Sequence, residues 1–136
     1  MKYEFIKGLT SDVVFRAYGK DAKELFENAA EAMASVICQI GKVSPKIAKS
    51  VEVKGEDLKD LLYNWLQEII ALVDTAEMFF SRFEIEEISD CKLKAKIYGE
   101  PMTPDKGETV VKAVTYHNFN LKETENGYEV TVNLDI

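Results

Sequence analysis

Apolar residues recur at helical spacing in two stretches of this chain. Ala22, Leu25, Phe26, Ala29, Met33, Val36, Ile37 and Ile40 share one stripe, with Lys23, Glu24, Glu27, Glu31 and Gln39 opposite. Such a stripe lets a helix bury one face while the other stays wet. Asp21 followed by Glu24 supplies an N-terminal capping pair, whose side chains satisfy amides that the first turn leaves without partners. Leu58, Leu61, Leu62, Trp65, Leu66, Ile69, Leu72 and Val73 repeat the arrangement against Lys59, Asp60, Asn64, Gln67 and Glu68. Both stripes read as core, and neither contains a cofactor box.

Elsewhere the period drops to two. Cys91, Leu93, Ala95 and Ile97 alternate with Lys92, Lys94, Lys96 and Tyr98, the mark of a strand with one buried face. A hairpin partner carries Phe79, Ser81, Phe83 and Ile85 on one side and Phe80, Arg82, Glu84 and Glu86 on the other, joined through Ser89-Asp90. Pairing sets its glutamates near the lysine row, and cross-strand charge pairs stabilise a sheet by roughly 0.2–1 kcal/mol each. Both charge runs are thus explained without a ligand. Further strands are predicted at residues 2–7, 12–18, 51–54, 110–121 and 128–135, the last two joined through Glu125-Asn126-Gly127, an Asn-Gly hairpin signal. The order ββαβαββββ predicts an α+β fold in two layers, a largely antiparallel sheet with two amphipathic helices on one face. Residues 101–107 lack periodicity and read as a mobile surface loop. With no repeat or linker, residues 1–136 are expected to form one domain.

A chain of 136 residues can bury roughly 65–70% of its unfolded surface and needs no staple. Hydrophobic residues make up 46% and charged residues 30%, too apolar for a disordered chain. No apolar run approaches the ~20 residues that span a bilayer, and the first residues lack a signal-peptide pattern. A cytoplasmic protein without membrane contact is expected. Net charge is −7, with 24 acidic against 17 basic residues, whereas binding to phosphates needs clustered Lys and Arg. Direct nucleic-acid binding is therefore not expected, and a basic protein partner suits the charge better. Cys38 and Cys91 lack zinc-site spacing and read as reduced core thiols. The one histidine, His117, shares a face with Val111, Ala113 and Phe119, which favours a core or interface imidazole over a general base. Isolated glycines at 19, 41, 55 and 99 match neither a Walker nor a dinucleotide motif.

Two acids remain. The chain's final strand reads Val130-Thr131-Val132-Asn133-Leu134-Asp135-Ile136, and an early strand opens with Asp12. In each, the acid lies on the less apolar face. If the two strands lie side by side, Asp12, Asp135 and a terminal oxygen of Ile136 converge and repel unless a hard cation intervenes. From residue types alone, two unrelated solvated acids at strand ends is the plainer reading, because Asp often marks the end of a strand.

The order of Thr10-Ser11-Asp12, the helix around Leu25-Phe26-Glu27-Asn28-Ala29-Ala30-Glu31-Ala32-Met33, Gly55-Glu56-Asp57-Leu58 with Trp65-Leu66, Phe80-Ser81-Arg82-Phe83, the run from Val111 to His117 and the Leu134-Asp135-Ile136 ending resembles the archease family over nearly the whole chain. That resemblance implies a metal-binding protein with Asp12, Asp135 and an oxygen of Ile136 as ligands. The implied ion is divalent, calcium first, with magnesium or manganese as alternatives. It further implies a partner, the tRNA-splicing RNA ligase, which such proteins help to become guanylylated and to turn over repeatedly. The chain would then be an activator and not an enzyme. Leu9, Val14 and Gly107 depart from the family pattern, in which histidines and a glycine are common at the matching positions. Two other readings stay open: a metal-dependent phosphoester hydrolase using Asp12, Asp135 and His117, and a chaperone-like protein-binding module.

Overall fold

The structure, a computed structural model, describes residues 1–6 and 12–136. Its elements follow the order β1 (Tyr3–Ile6), β2 (Asp12–Gly19), α1 (Ala22–Ile37), β3 (Ile47–Lys54), α2 (Leu58–Ala76), β4 (Met78–Ile88), β5 (Lys92–Pro101), β6 (Ala113–Thr124) and β7 (Gly127–Asp135). Short 3-10 turns occupy Ile40–Lys42 and Pro104–Lys106. The α+β class, the ββαβαββββ order and the antiparallel pairing are as expected. One detail differs, in that the strands divide between two sheets, β1-β2-β7-β6 and β3-β5-β4.

Helix α1 explains the division. It packs against β2 of the first sheet and β4 of the second, so it must be apolar on more than one stripe. Ala29, Ala30, Ala32, Met33 and Ala34 are all buried, with only the half-buried Glu31 interrupting them, and small side chains there let both sheets approach the helix axis. Its N-terminus is capped as expected, the Asp21 Oδ1 accepting from the Glu24 amide at 2.9 Å and Glu24 accepting from the Lys20 amide at 3.1 Å. Trp65 of α2 is fully buried and donates its indole N–H to the Phe26 carbonyl at 3.0 Å, which locks the two helices together.

Turn chemistry sets the register of the first sheet. Thr124 pairs with Gly127 across the Glu125-Asn126 turn, and Gly127 has φ 133°, a conformation that L side chains avoid. A Cβ at Gly127 would also meet the Gly19 carbonyl oxygen at 2.2 Å, so the turn can sit beside the end of β2 only as glycine.

Three expectations need correction. Cys91 is exposed in the β4–β5 turn, while Cys38 alone is a core thiol, because β5 begins one residue later than the alternation implied. His117 is exposed rather than in the core: the β6 register jumps from Thr115 opposite Asn133 to Asn120 opposite Thr131, so the period of two breaks and Asn118 takes a positive φ of 68°. Residues 101–107 are tied to the body. The Gln39 amide donates to the Lys106 carbonyl at 2.8 Å, Cys38 bridges Gly107, and Lys106 Nζ lies 2.7 Å from the buried Glu100. That ammonium and the Ser44 amide hold the Glu100 carboxyl below the usual carboxylate range.

Candidate metal centre at the end of the first sheet

Strands β2 and β7 are anchored by the residues between their acids. Phe15 is opposite Val132 and Val13 opposite Leu134, and Phe15, Val132 and Leu134 are fully buried. A slip of one residue would turn this set out to solvent, so the register is strongly fixed. The same register places Asp12 directly opposite Asp135. Residues so paired face the same side of the sheet with Cβ atoms ~4.5–5.5 Å apart, and like charges there are destabilising. The two acids predicted from opposite ends of the sequence are therefore neighbours. Asp12 is half-buried, Asp135 exposed, and Ile136, next along, half-buried.

No described cation relieves the repulsion, since neither acid takes part in an ion pair among the described residues. Strand β6 closes the other side of Asp135. Ala113 is opposite it, and the Lys112 amide donates to the Asp135 carbonyl at 2.8 Å. That carbonyl is held by the chain, while neither carboxylate has an ion-pair partner among the described residues. Asn133 lies on the same face as Asp135, between Val14 of β2 and Thr115 of β6, and its Oδ1 is buried without a hydrogen-bond partner among the described residues.

The local donor set is thus all oxygen: two carboxylates, the main chain at Ile136 and an orphaned amide oxygen nearby. That chemistry suits a hard divalent cation. Among the described residues there is no group of three or more His, Cys, Asp or Glu side chains placed to hold a metal. An ion here would complete its shell with main-chain oxygens and water, as calcium and magnesium commonly do. Leu9, Thr10 and Ser11, which precede Asp12 in the motif, lie outside the described residues, as does Lys7 at the end of the first predicted strand. Sequence reasoning missed Asn133, although its place two residues before Asp135 on the polar face was a readable signal. His117 is in the β6 bulge beyond Thr115 and is not brought to the acids by the pairing that places Ala113 opposite Asp135.

At the other end of the same face the charges are paired. Arg16 Nε lies 3.6 Å from Glu129 and donates to Thr131 Oγ1 at 3.5 Å, and the Tyr18 hydroxyl donates to Glu4. That bond to a carboxylate is the main cause of the raised Tyr18 pKa.

A second feature lies between α2 and residues 107–112, a groove of about 820 Å³ lined mainly by apolar side chains. No helix among the described residues is long and apolar enough to cross a membrane.

The model of the Archease protein family matches residues 3–136. The chain is 39% identical to protein archease of Sulfurisphaera tokodaii, covering 99% of each. It is 41% identical to that of Methanosarcina acetivorans, covering 99% of this chain and 96% of the relative. Among solved structures it is similar to Methanobacterium thermoautotrophicum protein 1598, with a TM-score of 0.81 at 34% identity over 98% of both chains. A Thermotoga maritima archease, described as a possible chaperone, gives a TM-score of 0.71 at 18% identity over 98% of both, a likeness of fold alone.

Proposed function

Since the chain belongs to the archease family, we propose that it is an accessory activator of the tRNA-splicing RNA ligase. It promotes guanylylation of that enzyme and its repeated turnover, and it carries no active site of its own. The observation that supports this reading best is the opposition of Asp12 and Asp135 on adjacent strands with no described cation between them.

Asp12, Asp135 and the main-chain oxygen of Ile136 would hold a divalent ion, calcium above magnesium or manganese. Bound there, the ion would supply positive charge at the surface of a rigid sheet, where it favours the anionic geometry of nucleotidyl transfer. The chain's own part is to fix the ligands. Phe15, Val132 and Leu134 hold the register, and the Lys112 amide engages the Asp135 carbonyl so that its strand cannot fray. The net charge of −7 steers a basic protein surface toward the site.

The test is a ligation assay with RNA in excess and ligase limiting. Asp12→Ala and Asp135→Ala are expected to stay folded and to lose stimulation; variants that stimulate like the parent would sink the metal-centred mechanism. A second reading, a chaperone-like binding module, is favoured by the apolar groove. It calls for binding to several RNA-processing proteins that persists when metal is chelated. The hydrolase reading has less support, because His117 sits in the β6 bulge and the protein alone would have to cleave phosphoesters.

A further inference from the structure

The groove beside α2 is walled on one side by Ile70, Val73 and Asp74 and on the other by the extended segment from Gly107 to Lys112. Ile37, Phe79 and Val111 are buried beneath it. Two large apolar side chains stand on its rim with nothing over them, Met102 at 41% exposure and Val110 at 81%. Isolated exposed apolar residues are ordinary, but several gathered around one concavity mark a binding surface.

The groove is preformed. The amides of Glu108 and Thr109 donate to the carbonyls of Ile37 and Val36 at 2.9 and 3.1 Å, and at the far end the Lys112 amide donates to the Asp135 carbonyl. The segment that walls the groove therefore ends on the residue opposite which Asp12 stands.

Charge points to the occupant. Asp74 of α2 and Glu108 of the extended segment both line the groove, and Lys112 is the one basic residue among its described lining. Helix α2 has no basic residue in its last turn, although the negative end of the helix dipole favours one there. Asp74 sits close to that end, an arrangement unfavourable to the isolated chain and favourable once a cation arrives from outside.

We propose that this groove docks an apolar segment of the partner protein that carries a Lys or Arg beside its large apolar side chains, so that the aliphatic part fills the cavity and the cation meets Asp74 and Glu108. The partner's identity as the ligase rests on the function proposed above; the chemistry of the segment does not.

Two experiments separate these layers. In the first, the full chain is titrated with the peptide acetyl-Leu-Leu-Lys-Leu-Lys-amide while methyl NMR signals are followed. Saturable shifts are expected at Val110 and Met102, weakened about tenfold or more by the pair Asp74→Asn and Glu108→Gln. The counterpart with glutamate in place of lysine is expected to leave them unmoved. No shift at these methyls, or equal binding of both peptides, overturns the groove. In the second, Val110→Glu is compared with the parent in the ligation assay. It is expected to raise the concentration for half-maximal stimulation about tenfold while reaching the same plateau. An unchanged midpoint overturns the groove as the ligase's dock. A parent protein that stimulates nothing overturns the ligase reading, and the peptide titration then judges the groove by itself.

Discussion

The two ends of the β2–β7 ribbon are built on the same strands and show the same face to solvent, yet they treat charge in opposite ways. Near Tyr18, acids and bases interleave: Arg16 reaches Glu129 and Thr131, and Glu4 accepts from Tyr18. Near Asp12, two carboxylates stand opposite each other and no described base comes between them. The first arrangement is what a sheet does to stabilise itself. The second works against stability, a cost that the divalent ion of the proposed function would offset.

The largest effect is expected from removing what holds both ends in register. Phe15→Ala should lower stability by ~3–5 kcal/mol in urea unfolding and weaken the two ends together. An effect confined to one end would mean that the register is not what links them. Next comes the unpaired end itself. Asp12→Ala and Asp135→Ala should each lower calcium affinity by more than the ~10–100-fold typical of outer-shell changes, measured by calorimetry, and Arg16→Gln should leave it unchanged.

The sign of a milder change sharpens the contrast. In chelator, Asp135→Asn should raise stability by roughly 0.2–1 kcal/mol, since it relieves like-charge opposition; in saturating calcium it should lower it. Stabilisation in both conditions would argue against a bound ion. At the paired end, Arg16→Gln should cost about 0.2–1 kcal/mol in either condition, less at high salt.

The smallest effect concerns the thiols. Burial pushes the Cys38 thiol up to about 11, with Glu108 adding to the rise. The folded state thus holds that proton more tightly than the unfolded chain does. Its contribution to stability is complete below the ordinary thiol range and drains away as pH climbs toward 11. Urea midpoints of the parent and Cys38→Ala should converge over that window. Ellman's reagent should react at once with Cys91 and reach Cys38 only on unfolding.

Much of this architecture can be read from local chemistry. The Asp21–Glu24 cap, the hairpin at Glu125-Asn126-Gly127 and the alternation from Leu93 to Ile97 each depend on near neighbours, and each formed, with the turn centred on Glu125-Asn126 and Gly127 already paired to Thr124. Placing Asp12 beside Asp135 needed more, namely a family resemblance, because nothing within either strand names its partner. What was missed depended on distant pairing. The β6 bulge that exposes His117 arises from how β6 meets β7. A bulge between Phe80 and Arg82 puts Phe80 on the same face as Phe83 and Ile85, all three buried, where strict alternation separates them. Strand β3 starts at Ile47, earlier than expected, because its first four residues are exposed and carry no apolar rhythm. The fastening of residues 101–107 comes from Glu100, whose burial no sequence rule foretells.

The indole of Trp65 supplies an optical consequence. It is the chain's only tryptophan, wholly shielded from water and bonded to the neighbouring helix. Its emission should be blue-shifted in the intact molecule and move to longer wavelength when the helices part. Every variant above can therefore be followed by intrinsic fluorescence, with no label attached.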